Sequence, residues 1–183
     1  MKFKELEIKG VWLIEPQRLG DARGYFCEVY KPELLREHVG DIHWVQENES
    51  VSSYGVLRGL HFQRGEWSQA KLVRVTRGRV LDVVVDLRRS SATFGKHLAV
   101  ELSEERGEQL FIPRGMAHGF VVLSESAQFQ YKVDNVYCPE SEMSLRFDDP
   151  ALGIDWRLRP DEFRLSPKDM AGLPLSEIPP FDL

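Results

Sequence analysis

Gly107-Glu108-Gln109-Leu110-Phe111-Ile112-Pro113-Arg114-Gly115-Met116-Ala117-His118 reads as a strand, a turn and the opening of a second strand. Gln109 to Ile112 favours extended backbone, Pro113 and Gly115 are turn formers, and the next segment begins with an imidazole aimed at whatever the strands enclose. Outward from this stretch the same punctuation repeats. Val11 to Ile14, Tyr25 to Tyr30, Trp44 to Val51, Ala70 to Thr76, Val80 to Leu87, His97 to Leu102, Gly119 to Leu123, Ala127 to Val133 and Met143 to Phe147 are strand-like runs separated by Gly, Pro, Asn, Asp or Ser. Only Pro32 to Val39 has helical spacing of apolar residues, and Gly40 closes it. The pattern, free of internal repeats, is all-β: a sandwich or jelly roll with few short helices.

With 183 residues and 42% hydrophobic content, the chain is expected to form one domain over 1–183. A formal net charge of -5 argues against holding a nucleic-acid polymer or an anionic membrane by bulk electrostatics, so an anionic ligand must be met locally. Cys27 and Cys138 lie far apart with no CxxC pair, which gives neither a disulfide framework nor a zinc site and suits a reducing compartment. Met1 to Glu7 is charged where a signal peptide needs an apolar stretch, and no apolar run approaches a membrane span; a cytoplasmic location is the expectation. Beyond Pro150 come Pro160, Pro167, Pro174, Pro179 and Pro180, so residues 151–183 are expected to wrap the barrel with little regular structure.

Gly55 to Gln63 sets an imidazole, a guanidinium and an amide among apolar side chains. Taken alone, His61 is either a hydrogen-bonded core histidine or a base. Strand alternation narrows the choice, because every second residue shares a face. Lys71 falls on the side of Val73 and Val75, either as a rim lysine with its stem laid along the valines or as an amine aimed inward. Tyr131 shares a side with Ala127, Phe129 and Val133, which takes its hydroxyl into an apolar space. Trp44, Gln46, Asn48, Ser50 and Ser52 form one side of their strand, suited to a polar ligand or to solvent. Lys168 and Asp169 place a base and an acid side by side in the proline-rich segment.

The run from Gly107 to His118, a glycine, then PxG, then histidine three residues on, resembles the second signature of the cupin superfamily, with Val122 where that signature ends in asparagine. The corresponding first signature carries His-x-His and a following Glu in metal-binding members, whereas this chain has His61-Phe62-Gln63. An amide is a weak transition-metal ligand, so no catalytic metal is expected and both imidazoles are free for proton transfer and hydrogen bonding. Asp21-Ala22-Arg23-Gly24-Tyr25-Phe26, Arg58 to Gln63, Gln69 to Val73, Pro113 to Phe120, Tyr131-Lys132 and Ser166 to Asp169, six motifs in order over nearly the whole chain, are similar to the dTDP-4-dehydrorhamnose 3,5-epimerase family.

That resemblance implies a cofactor-free isomerase acting on C3 and C5 of a dTDP-4-keto-6-deoxyhexose. By it, His61 is the base oriented by Asp169, Tyr131 the acid on the far face, Lys71 the charge beside the C4 oxygen, and His118 a hydrogen-bond donor to the sugar. It also implies Arg23 and Arg58 on the phosphates, Gln46, Glu47 and Asn48 on the nucleoside or diphosphate, and Glu28, Glu142 and Lys168 completing the pocket. Residues of the first strands reach the neighbouring subunit in this family, so a homodimer is implied. Three competitors remain: a mono-epimerase or ketoisomerase on a related nucleotide sugar, a metal-dependent cupin, and a non-catalytic sugar-binding cupin. The last leaves Lys71, Tyr131 and Asp169 without a purpose.

Overall fold

The computed structural model of the chain describes residues 1–179; Pro180, counted above in the tail, lies outside the described residues. Two antiparallel sheets face each other. One carries six strands in the order β1 (Lys2–Glu5), β2 (Trp12–Glu15), β10 (Gln109–Ile112), β7 (Lys71–Arg77), β12 (Ser126–Val133) and β5 (Gln46–Ser53). The other carries five: β13 (Glu142–Ser144), β6 (Leu57–Gln63), β11 (Met116–Val122), β8 (Arg79–Asp86) and β9 (His97–Ser103). Among the described residues the hairpin of β3 (Arg18–Asp21) and β4 (Gly24–Cys27) pairs only with itself. From β5 onward successive strands alternate between the two sheets, apart from the β8–β9 pair, as in a jelly roll, and the all-β reading holds. Lys2–Glu5 and Arg18–Asp21 lack apolar alternation and were not expected as strands; backbone pairing with β2 and β4 makes them so.

Apolar alternation explains the layers. Val73 and Val75 of β7, Val80 and Val84 of β8, Met116 and Phe120 of β11 and Phe129 of β12 are buried between the sheets. Leu81, Val83 and Val85 face the other way, with Leu57, Leu60 and Phe62, and are covered by Leu152, Trp156, Phe163, Leu165 and Leu175. β8 is therefore buried on both faces and reads as a continuous apolar run. On the outer side of the six-stranded sheet, Leu35 of α1 (Pro32–Val39) packs over Ile14, Leu72 and Phe111. Gly40 ends that helix at φ 89°, as its sequence position indicates.

Residues 151–179 are more ordered than their prolines indicate. Pro160–Glu162, α2 (Pro167–Met170) and Leu175–Glu177 form short helical turns, because proline suits the first turn of a helix, where its missing N–H is not needed. Two isolated bridges, Val56 to Arg164 and Leu145 to Leu173, tie this segment to the five-stranded sheet. No helix among the described residues is long and apolar enough to cross a membrane.

One irregularity positions the site. Arg58 and His61 are three residues apart and would fall on opposite faces of a regular strand. Here His61 pairs with His118 and Arg58 with Phe120, so β6 carries one residue more than β11 over this span. That bulge turns both side chains inward. It requires glycine on both strands: a Cβ on Gly59, at φ 147°, would lie 2.5 Å from the Gly119 Cα, and one on Gly119 would lie 2.6 Å from the Arg58 carbonyl oxygen. Gly119→Ala, whose clash is with backbone and cannot be relieved by a rotamer, is expected to cost roughly 2–3 kcal/mol in urea unfolding; a loss under about 0.5 kcal/mol would contradict this account.

Candidate active site

The space between the sheets opens into a cavity of about 400 Å³. Arg58, His61 and Gln63 reach it from β6, Lys71 from β7, His118 and Phe120 from β11, and Phe129 and Tyr131 from β12. Glu142 of β13 and Lys168 and Asp169 of α2 close one end. Its apolar wall is a stack of rings: Phe120 on Phe129 with centroids 4.2 Å apart, and His118 against Phe129 at 6.1 Å.

Asp169 is the most heavily supported charge in the cavity. Ser166 caps α2: its hydroxyl and N–H donate to Asp169 Oδ2 at 2.5 and 3.1 Å, while the Asp169 N–H donates back to Ser166 Oγ at 3.3 Å. The Gly59 N–H donates to Asp169 Oδ1 at 3.1 Å, and His61 Nε2 sits 2.9 Å from the same oxygen. The approach is off the in-plane N–H direction of the ring, so the contact is a close polar one rather than an aligned hydrogen bond. Burial alone would raise the Asp169 carboxyl, but the His61 ring beside it and the Ser166 and Gly59 donors outweigh it and hold it well below the usual carboxylate range.

The other charges are tuned by the same dry walls. Burial pushes the Lys71 amine down to about 8; Asp82 and Glu142 pull it back up, and Lys168 adds to the depression. Burial likewise raises the Tyr131 phenol, which the nearby Arg58 charge partly offsets. Burial would raise Glu142, yet Lys168, with Nζ 2.5 Å from Oε1, and the Tyr137 hydroxyl, donating to Oε2 at 2.6 Å, keep it low. Gln63 spends its amide on backbone: it donates to the Trp67 and Val136 carbonyls and accepts from the Cys138 N–H. Among the described residues no group of three or more His, Cys, Asp or Glu side chains is placed to hold a metal ion.

Of the residues singled out in the sequence, His61, Lys71, Arg58, His118, Tyr131, Glu142, Lys168 and Asp169 converge on the cavity. Arg23, Glu28, Gln46, Glu47 and Asn48 do not line it. Arg23 lies exposed on the β3–β4 turn, paired with Asp21, and Glu28 pairs with Lys31. Glu47 points to the outer face, where Lys132 meets it at 2.7 Å, and Gln46 donates to Asn48. Ser50, from the polar side of its strand, also lines the cavity, as do Glu49 and Tyr137, which were not singled out. Asp82 was also missed: it is fully buried on β8, facing inward with Val80 and Val84, and both its oxygens lie within 3.1 Å of His118 Nε2. The signal was a lone carboxylate on the inward face of an apolar strand.

Residues 5–177 match the protein family described as dTDP-4-dehydrorhamnose 3,5-epimerase. The chain is 46% identical over 180 residues, 98% of its length and 92% of the relative's, to a dTDP-4-dehydrorhamnose 3,5-epimerase of Sinorhizobium fredii. The crystal structure of the enzyme of that name from Elizabethkingia anophelis superposes with a TM-score of 0.93 at 50% identity, covering 97% of both chains. A 3,5-epimerase from Legionella pneumophila in complex with dTDP-4-keto-L-rhamnose superposes at 0.93 with 44% identity, covering 100% of this chain and 98% of the other.

Because the folded-state pKa of Asp169 is depressed, its contribution to stability is present above the ordinary carboxylate range and is lost as pH falls through and below it. The wild-type unfolding free energy should therefore drop more steeply than that of Asp169→Asn between about pH 5 and pH 2, by on the order of 1–3 kcal/mol. Parallel curves from denaturant titrations across that window would refute the assignment.

Proposed function

The chain belongs to the dTDP-4-dehydrorhamnose 3,5-epimerase family, and from that premise we propose that its cavity inverts C3 and C5 of dTDP-4-keto-6-deoxy-D-glucose to give dTDP-4-keto-L-rhamnose, with His61 and Tyr131 as the opposed base and acid. The observation that carries the assignment of roles is that these two side chains enter one cavity from opposite sheets, His61 on β6 and Tyr131 on β12.

The C–H bonds at C3 and C5 both flank the C4 ketone, so removing either proton gives an enolate whose charge rests on the C4 oxygen. His61, with one ring nitrogen held against Asp169, takes the proton with the other. Lys71 has no ion-pair partner within 4 Å among the described residues, so its charge is available to the enolate oxygen in a site that excludes water. Tyr131 stays protonated because burial raises its pKa, and returns a proton to the carbon on the opposite face. Solvent then resets the phenol and the imidazole, and the sequence repeats at the second carbon. No bound cofactor is needed for this cycle.

Arg58 stands at the cavity edge, where its guanidinium suits a phosphate. The second guanidinium comes, in this reading, from another copy of the chain. The β3–β4 hairpin exposes Leu19, Tyr25 and Phe26 at 58%, 60% and 66%, and β5, paired with β12 on one side, is an edge strand that bears exposed Val51 and is preceded by exposed Val45. A homodimer covers both and carries Arg23 and Glu28 to the partner's cavity, while Gln46, Glu47 and Asn48 lie on the edge strand where the copies meet.

With dTDP-4-keto-6-deoxy-D-glucose in deuterated water, solvent deuterium should enter both C3 and C5; entry at one carbon alone would reduce the protein to a mono-epimerase. His61→Asn should abolish exchange, by more than about a thousandfold. Tyr131→Phe should impair inversion more than proton removal, and equal loss of both would sink the acid assignment. For the dimer, sedimentation at micromolar concentration should give twice the chain mass, with Arg23→Ala raising KM about tenfold at nearly constant kcat. A fully active monomer would overturn this part.

A further inference from the structure

Beside His61 and Asp169 the cavity wall carries a second imidazole, His118, backed by the buried carboxylate of Asp82, and their arrangement reverses the role the sequence gave His118. We propose that Asp82 is a positioning residue that holds His118 as its Nε2–H tautomer, so that Nδ1, the nitrogen left toward the cavity, accepts a hydrogen bond from a hydroxyl of the sugar. The ligand in this statement rests on the epimerase reading; the tautomer does not.

Asp82 is 0% exposed and is flanked on its face by Val80 and Val84. A buried carboxylate must be met by donors or it costs several kcal/mol. Among the described residues its only hydrogen-bond donor is His118 Nε2, 2.9 Å from Oδ2 and 3.1 Å from Oδ1. The alternative tautomer would set a nitrogen lone pair against carboxylate oxygens at that distance, which is repulsive. Nε2 therefore carries the hydrogen. His118 lines the cavity, and no group of the described residues bonds its Nδ1.

Whether the ring is neutral or doubly protonated decides whether that nitrogen accepts. Asp82, Lys71 and His61 are the titratable groups that face it, with Phe129 stacked on one side. Burial, with Lys71 and His61, lowers its pKa and outweighs the opposing pull of Asp82, so the ring is neutral at neutral pH. The cavity then divides its labour. Lys71 donates to the oxygen that gains charge, and His118 selects a substrate that presents a hydroxyl.

The test reads the tautomer without catalysis. In 15N-histidine NMR of the intact wild-type protein at pH 7.5, His118 should show a protonated Nε2 and an unprotonated Nδ1. In kinetics, one of two substrate analogues, lacking the C2 or the C3 hydroxyl, should lose about tenfold or more in kcat/KM on the wild type and no more than about twofold on His118→Phe. Asp82→Asn, whose amide can turn either way, should lose the single tautomer and raise KM for the parent substrate. A protonated Nδ1, or wild-type kinetics that ignore both deoxy analogues, would overturn the proposal whether or not the protein inverts both carbons.

Discussion

A carboxylate carried in by α2 and held at the mouth of a barrel is the constraint on which the rest depends. Asp169 would be costly in so dry a place without its polar partners, and those partners come from three parts of the chain: the cap of its own helix, the bulge in β6, and His61 two residues beyond that bulge. The one contact network therefore docks the proline-rich segment, fixes the irregular strand and orients the imidazole. Stability and chemistry share the same atoms.

The walls do as much as the charges. Rings and valines that fill the barrel also lower the dielectric around Lys71, His118 and Tyr131, and each is displaced in the direction that favours its neutral form. An amine near 8 can still carry charge at neutral pH, a phenol stays protonated, and an imidazole stays neutral. Three different tasks thus follow from one property of the surroundings.

Much of this was legible in the chain because strands alternate. The inward side of Lys71 and of Tyr131 followed from their neighbours, and α1 was bounded correctly by Pro32 and Gly40. What stayed hidden has physical reasons. The bulge at Gly59 breaks the alternation on which sidedness was judged, so Arg58 and His61 could not be placed together by periodicity. Asp82 stands out as a lone carboxylate in an apolar run, but the face it takes was hidden because a strand buried on both sides shows no polar face to judge it by. Arg23 and Glu28 lie away from their own cavity, and a single sequence carries no sign of what a second copy contributes.

The two glycines where β6 crosses β11 have a consequence for how the barrel is assembled. Their backbones approach so closely that no other pair of residues from these strands could occupy the crossing, since every neighbour carries a side chain. The crossing works as an alignment key. A slip of β6 by one position would drive a Cβ into the facing backbone and turn the apolar row toward the cavity, so a misthreaded barrel is penalised twice and a single pairing is selected.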